Sequence, residues 1–169
     1  KMSNVRKKID TAFRAKIGTL WLKTREEVRT LSHVVEVAES LNYSSVMVWS
    51  VTRGLVPFED KATVAAATRD PRAALGAVVG LQGRAVVVLN DFSAWLNDPT
   101  LRRQLVELNR AIQVTAKAEA KQLVVIDAND PPAGVPATVV DVPLPDRTEM
   151  GEVLDSLLEF APEELRKDV

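Results

Sequence analysis

The sequence predicts an α/β domain in three layers, an α/β/α sandwich with a five-stranded parallel sheet covered by helices on both faces. Three observations lead there. Short apolar runs alternate with segments of helical periodicity along the chain. The run Ala85 to Leu89 is almost continuously valine, which suits a strand buried on both faces. Two Asp-Pro pairs, Asp70-Pro71 and Asp98-Pro99, mark helix starts, with aspartate as N-cap and proline in the first turn.

The elements follow in order. Residues 1–16 carry Lys1, Arg6, Lys7, Lys8, Arg14 and Lys16 against Asp10 alone and read as a basic N-terminal helix. A solvated basic helix is the common outcome of such a pattern, and contact with an acidic surface or nucleic acid is the alternative. Lys1 ahead of Met2 reads as a tag remnant before the natural start. Ile17 to Leu22 is the first strand, opening an α/β domain over 17–160. In Arg25 to Leu41, Val28, Leu31, Val34, Val35, Ala38 and Leu41 recur at helical spacing, and Thr24 with Glu27 predicts a capping box. Val46 to Val51 is the second strand. Arg53 to Arg69 has no clear period and reads as a flexible loop. The helix from Asp70 presents Ala74, Leu75, Val78 and Val79, and Gly80 and Gly83 close it. Ala85 to Leu89 is the third strand. The helix from Asp98 buries Leu101, Leu105, Leu108 and Ile112 and turns Arg102, Arg103, Glu107 and Arg110 outward. Gln122 to Ile126 and Thr138 to Val142 complete the sheet. Asp146 with Glu149 starts a last helix carrying Met150, Val153, Leu154, Leu157 and Leu158. Residues 161–169 read as the start of a linker.

Composition narrows the chemistry. The chain has 169 residues, 46% of them hydrophobic, which suits one domain with a real core. Twenty-two basic and 23 acidic residues give a net charge of −1, unlike a strongly basic nucleic-acid binder. With no cysteine and one histidine, there is no thiolate nucleophile, Cys-based metal site or His-pair ligand motif. No apolar run approaches the ~18 residues of a membrane helix, so no membrane association and a cytoplasmic location are expected.

In open α/β sheets, sites form beyond the C-terminal ends of the strands. Gly18 followed by Lys23-Thr24 mimics part of a phosphate-binding loop. The second glycine is missing, and Glu26 and Glu27 would repel phosphate from the helix start. Val86-Val87-Val88-Leu89-Asn90-Asp91 has the outline of a Walker-B strand. Asn90 stands in the magnesium-aspartate place, where an amide is a poor ligand for a hard cation. Asp91 stands in the place of a catalytic glutamate. Asn129 has the position of a γ-phosphate sensor but reads better as a turn residue before Pro131. His33 reads as a structural histidine. No catalytic, cofactor-binding or metal-ligating residue is therefore assigned. Trp49, Thr52 and Arg53 beside Gly54 make an unusual strand end, because Trp and Arg are enriched at interfaces. Core packing of Trp49 is equally compatible with the pattern.

Several blocks together resemble a family. They are Thr24-Arg25-Glu26-Glu27 with Arg29; Val48-Trp49-Ser50-Val51-Thr52-Arg53-Gly54-Leu55; Asp70-Pro71-Arg72-Ala73-Ala74-Leu75; Val88-Leu89-Asn90-Asp91-Phe92 with Asp98-Pro99, Arg102 and Leu105; and Leu144-Pro145-Asp146-Arg147 with Glu149. The chain resembles the N-terminal domain of AAA-family ATPases of the plastid and cyanobacterial open-reading-frame type, also found in other bacteria and phages. The resemblance implies a sheet of the P-loop NTPase or AAA type without a functional P-loop. It further implies a following ATPase module that binds ATP and Mg²⁺, while this domain binds neither. The expected function is a non-catalytic domain serving interdomain or ring assembly, or recruitment of a protein client. Expected partners are its own C-terminal ATPase module and further copies in a ring, with Trp49, Thr52, Arg53, Asp91 and Phe92 as candidate interaction residues. Two alternatives remain: a nucleotide-binding or ATP-hydrolysing domain using Asn90, Asp91 and Asn129, and a DNA-interacting module using the basic helix and Arg53.

Overall fold

The computed structural model describes residues 2–160. The expected linker over 161–169 lies outside the described residues. Helix α1 (Asn4–Arg14) leads to β1 (Thr19–Lys23), α2 (Glu27–Ser40), β2 (Ser45–Ser50) and β3 (Gly54–Pro57). Then follow α3 (Pro71–Val78), β4 (Ala85–Asn90), α4 (Pro99–Gln113), β5 (Lys121–Asp127), β6 (Thr138–Asp141) and α5 (Arg147–Glu159). The strands form one six-stranded sheet in the order β3-β2-β4-β5-β1-β6. All neighbours pair in parallel except β3, which runs antiparallel to β2. The chain is α/β with a mostly parallel sheet, consistent with a P-loop or AAA-like fold.

The alternation of side chains across the strands makes two cores. On one face Trp21, Trp49, Val87, Leu89, Leu123 and Val125 pack against Leu75 and Val78 of α3 and Leu101, Leu105 and Leu108 of α4. On the other, Leu20, Leu22, Val86, Val88, Val124 and Ile126 pack against α2 and α1. Helix α1 is therefore not a free basic helix. It buries Val5, Ile9, Ala12 and Phe13, four residues at helical spacing, and turns its cations to the outside. Both Asp-Pro starts cap as expected: Asp70 accepts from Arg72 N and Asp98 from Thr100 N, each at 2.8 Å.

The sixth strand is the main departure from expectation. Arg53 to Arg69, expected as a flexible loop, begins with a hairpin. Trp49 pairs with Leu55 and Ser50 with Gly54 across a three-residue turn. Gly54 has φ +73, and an added Cβ would come within 2.1 Å of Ala65 O, so only glycine fits. The rest of the segment is tied down. Arg53 Nη2 donates to Asp60 O and Thr63 O at 2.9 Å, and Leu55 N donates to Thr68 Oγ1 at 2.8 Å. The apolar run Leu55-Val56 is too short to announce a strand, and Pro57 confines it to the sheet edge.

Candidate functional site

The C-terminal edge of the sheet is where the fold class places chemistry. Strand β1 ends at Lys23 and α2 begins at Glu27, so only Thr24, Arg25 and Glu26 connect them. A phosphate loop needs a longer, glycine-bearing turn to aim several backbone N–H groups at one point. Thr24 Oγ1 accepts from Glu26 N at 2.9 Å, and the N-cap Glu26 makes no side-chain cap bond. The capping box expected from Thr24 and Glu27 does not form. Glu27 turns instead toward β4, where its Oε1 accepts from Asn90 Nδ2 at 2.8 Å. Burial and the neighbouring Asp91 both push the Glu27 carboxyl above its ordinary value.

The other strand ends are closed from within. Lys23 Nζ meets Asp130 Oδ2 at 3.0 Å. Asp127, 2% exposed, accepts from Ser93 N at 2.9 Å and Asn129 N at 2.8 Å. Asn129 O accepts from Trp21 Nε1 at 2.8 Å. Asn129 thus forms a turn, with its backbone engaged on both sides. Asn90, by contrast, keeps an unused group: it is 6% exposed, and its Oδ1 has no hydrogen-bond partner among the described residues.

The five candidate interaction residues do not form one surface. Trp49 and Phe92 are fully buried, their rings 5.3 Å apart at 80°, and Trp49 Nε1 donates to Thr68 O at 2.7 Å. These two belong to the core, because β2 turns every second residue onto the α3–α4 face. Arg53 is committed to the 58–65 segment, with Asp60 at 3.5 Å. Hydrogen bonds from Thr63 and Ala62, with Arg53 nearby, lower Asp60 to about 2. Thr52 and Asp91 are exposed, and Asp91 has φ +53, a left-handed turn into a short helical segment.

Sequence reasoning missed a charged cluster joining α1, α2 and α5. Arg29 donates to Glu26, to Glu149 Oε2 at 3.0 Å and to Pro143 O. Arg6 pairs with Glu36 at 2.6 Å, and its Nε donates to His33 Nδ1 at 2.9 Å. His33 is 5% exposed and its Nε2 lies 3.9 Å from Glu149 Oε1. Burial, then Arg6, lowers the imidazole's pKa, and the bond from Arg6 puts the proton of the neutral ring on Nε2. The cluster borders a cleft of about 750 Å³ between α2 and α5. Helix α5 buries none of its residues and exposes Met150, Val153, Leu154 and Leu157, with Phe160 just beyond. The only signal available in sequence was the mixed charge of Arg29 and Glu149 inside amphipathic helices, which solvated faces share.

A family model described as the N-terminal domain of SpoVK-like AAA ATPases matches residues 5–140. The chain belongs to this family. In this SpoVK-like N-terminal domain the match runs from α1 to β6 and therefore includes α1 as part of the domain, with α5 lying beyond the matched residues. It is a domain of an AAA ATPase. No curated protein matches the chain. Among the described residues, no helix is long and apolar enough to cross a membrane, and no group of His, Cys, Asp and Glu is placed to hold a metal ion.

Proposed function

We propose that this domain is a non-catalytic AAA-like module, working in the cytoplasm by contact with other modules rather than by binding nucleotide at the C-terminal edge of the sheet. One observation carries this reading: the place of a phosphate loop is taken by a three-residue turn whose helix starts with Glu27, and that carboxylate is bonded to Asn90. Anions favour helix N-termini, and a resident carboxylate there competes with phosphate. The exposed apolar stripe of α5 supports a protein–protein role in interdomain or ring assembly, or in client recruitment. Its partners are then the ATPase module of the same parent, which would bind ATP and Mg²⁺, and further copies of the chain. The Val48 to Leu55 block favours the plastid and cyanobacterial type of the family.

Calorimetric titration with ATP and Mg²⁺ tests this. The expected result is no binding that depends on the C-terminal edge. Micromolar affinity removed by Asp91→Asn would overturn the reading. It would favour the second one, a non-standard nucleotide site, for which the unpartnered Asn90 Oδ1 is the motivating observation. The DNA-interacting reading has less support. Arg6, Arg14 and Arg53 are each paired with a carboxylate inside the chain.

A further inference from the structure

At the opposite, N-terminal edge of the sheet lies a second cleft of about 750 Å³, bounded by the segments leading into β1, β2, β4 and β5. Its charged lining residues are Arg14, Lys16, Arg84 and Lys117, and no carboxylate is among them. This concentrates positive charge at one spot of a chain whose net charge is −1. Part of that charge is answered internally. Arg14 pairs with Asp10 at 2.8 Å, and Arg84 Nη2 donates to Leu41 O at 3.3 Å. Arg84 also lies 4.6 Å over the Tyr43 ring, a cation–π contact, while its Nε is buried without a hydrogen-bond partner. Among the described residues Lys16 and Lys117 are in no ion pair.

The backbone adds an independent observation. Helices α1 and α2 end in the same left-handed cap. Ile17 N donates to Ala12 O and Lys16 N to Phe13 O; Tyr43 N donates to Ala38 O and Asn42 N to Glu39 O. Lys16 has φ +54 and Asn42 φ +59. Glycine is the usual residue at this position, and asparagine the usual substitute. Lysine bears the Cβ strain that glycine avoids. A cation at a helix C-terminus is favoured by the macrodipole, and at position 16 the lysine also lines the cleft.

We propose that this cleft binds a small organic phosphate. Its phosphoryl oxygens accept from the Arg84 guanidinium and from the ammonium groups of Lys16 and Lys117, and its body lies against Phe13 and Tyr43. Those two rings meet edge to face at 5.8 Å and give the cleft an aromatic wall. Three cationic donors from three separate segments match the charge and oxygen count of a phosphate better than a single carboxylate. The cations line one cleft within the ~300–1,000 Å³ range of small-molecule pockets, whereas a nucleic-acid backbone is tracked by charge spread along a surface. This proposal does not depend on the module-contact reading above.

The test is calorimetry on the 169-residue chain at low salt, without Mg²⁺. The probes are inorganic pyrophosphate and adenosine monophosphate, with a DNA duplex as a third arm. Both small probes are expected to bind. Lys16→Gly and Lys117→Gln are each expected to weaken them about tenfold, the loss of one charge-assisted contact. Lys8→Ala and Asp91→Asn, outside the cleft, leave affinity unchanged. Lys16→Gly also raises the melting temperature, so its loss of binding cannot be ascribed to unfolding. The proposal fails if the wild-type chain binds neither small probe, if Lys16→Gly and Lys117→Gln leave affinity intact, or if only the duplex binds.

Discussion

The two edges of the sheet leave different groups unpaired. Along the C-terminal edge, Trp21, Lys23, Glu27 and Asp127 find partners inside the chain, and the buried amide oxygen of Asn90 does not. Along the N-terminal edge, Arg84 Nε and the ammonium groups of Lys16 and Lys117 find none among the described residues. Lys16 and Lys117 are exposed and meet water, so the cost of an unpaired buried group falls on Arg84 Nε at one edge and on Asn90 Oδ1 at the other. The C-terminal edge, where the fold class usually places a site, is left with an acceptor, and the N-terminal edge with cationic donors.

If the C-terminal edge is closed for stability, substitutions there should cost stability first. The largest expected effect is at Trp49. Trp49→Ala empties a fully buried site against Phe92 and Leu89 and frees Thr68 O, so a loss of about 3–5 kcal/mol is expected in urea unfolding. A loss below about 1 kcal/mol would mean that the 53–69 segment is not held by this side chain. Next comes Asp127→Ala, which strands the N–H groups of Ser93 and Asn129. A loss of about 1–3 kcal/mol is expected from those unpaired donors. Hydrogen exchange at the two amides should accelerate in the variant; unchanged protection would show that other acceptors replace the carboxylate.

How much of this was legible beforehand differs between the edges for a physical reason. The parallel strands and the Asp70 and Asp98 caps are written in local patterns: valine runs, and aspartate before proline. The amide at Asn90 and the short β1–α2 connection were legible because both are read directly from residue spacing. Strand β3 was not, because two apolar residues before a proline carry no period, and the strand exists only through pairing with β2. Nor was the core position of Trp49, since alternation offers either face. The basic cleft was illegible because Lys16, Arg84 and Lys117 lie far apart in sequence and meet only through the order of the strands. Its one local trace was Lys16 at a helix end where glycine is expected, and that became visible only with the left-handed φ.

At the N-terminal edge the comparison predicts the reverse sign. Lys16→Gly relieves a left-handed residue but adds unfolded-state entropy. A net gain of roughly 0.5–1 kcal/mol is expected, as a rise in urea midpoint at unchanged m-value. A destabilised variant would show that the lysine supports the fold, and the contrast between the edges would weaken accordingly.

The smallest expected effect probes whether the closed edge is free of tension. Glu27 feels two opposed influences. The start of α2 favours a carboxylate, while burial and Asp91 disfavour one. The net result is a raised carboxyl pKa, so the folded chain holds this proton to higher pH than the unfolded chain does. Linkage then fixes the sign: stability falls as pH climbs from the ordinary glutamate value near ~4.3 through the raised value, and the penalty is complete above it. Glu27→Gln keeps an acceptor for Asn90 and removes the charge. Its urea midpoint should match the wild type below pH ~4 and rise above it by neutral pH, by a modest amount because residue 27 is exposed. Asp91→Asn should shrink that difference, since Asp91 is one of its causes. A variant less stable than wild type at neutral pH would mean that the helix dipole outweighs Asp91 and burial. Glu27 would then be a stabilising cap on the edge rather than a charge held there against repulsion.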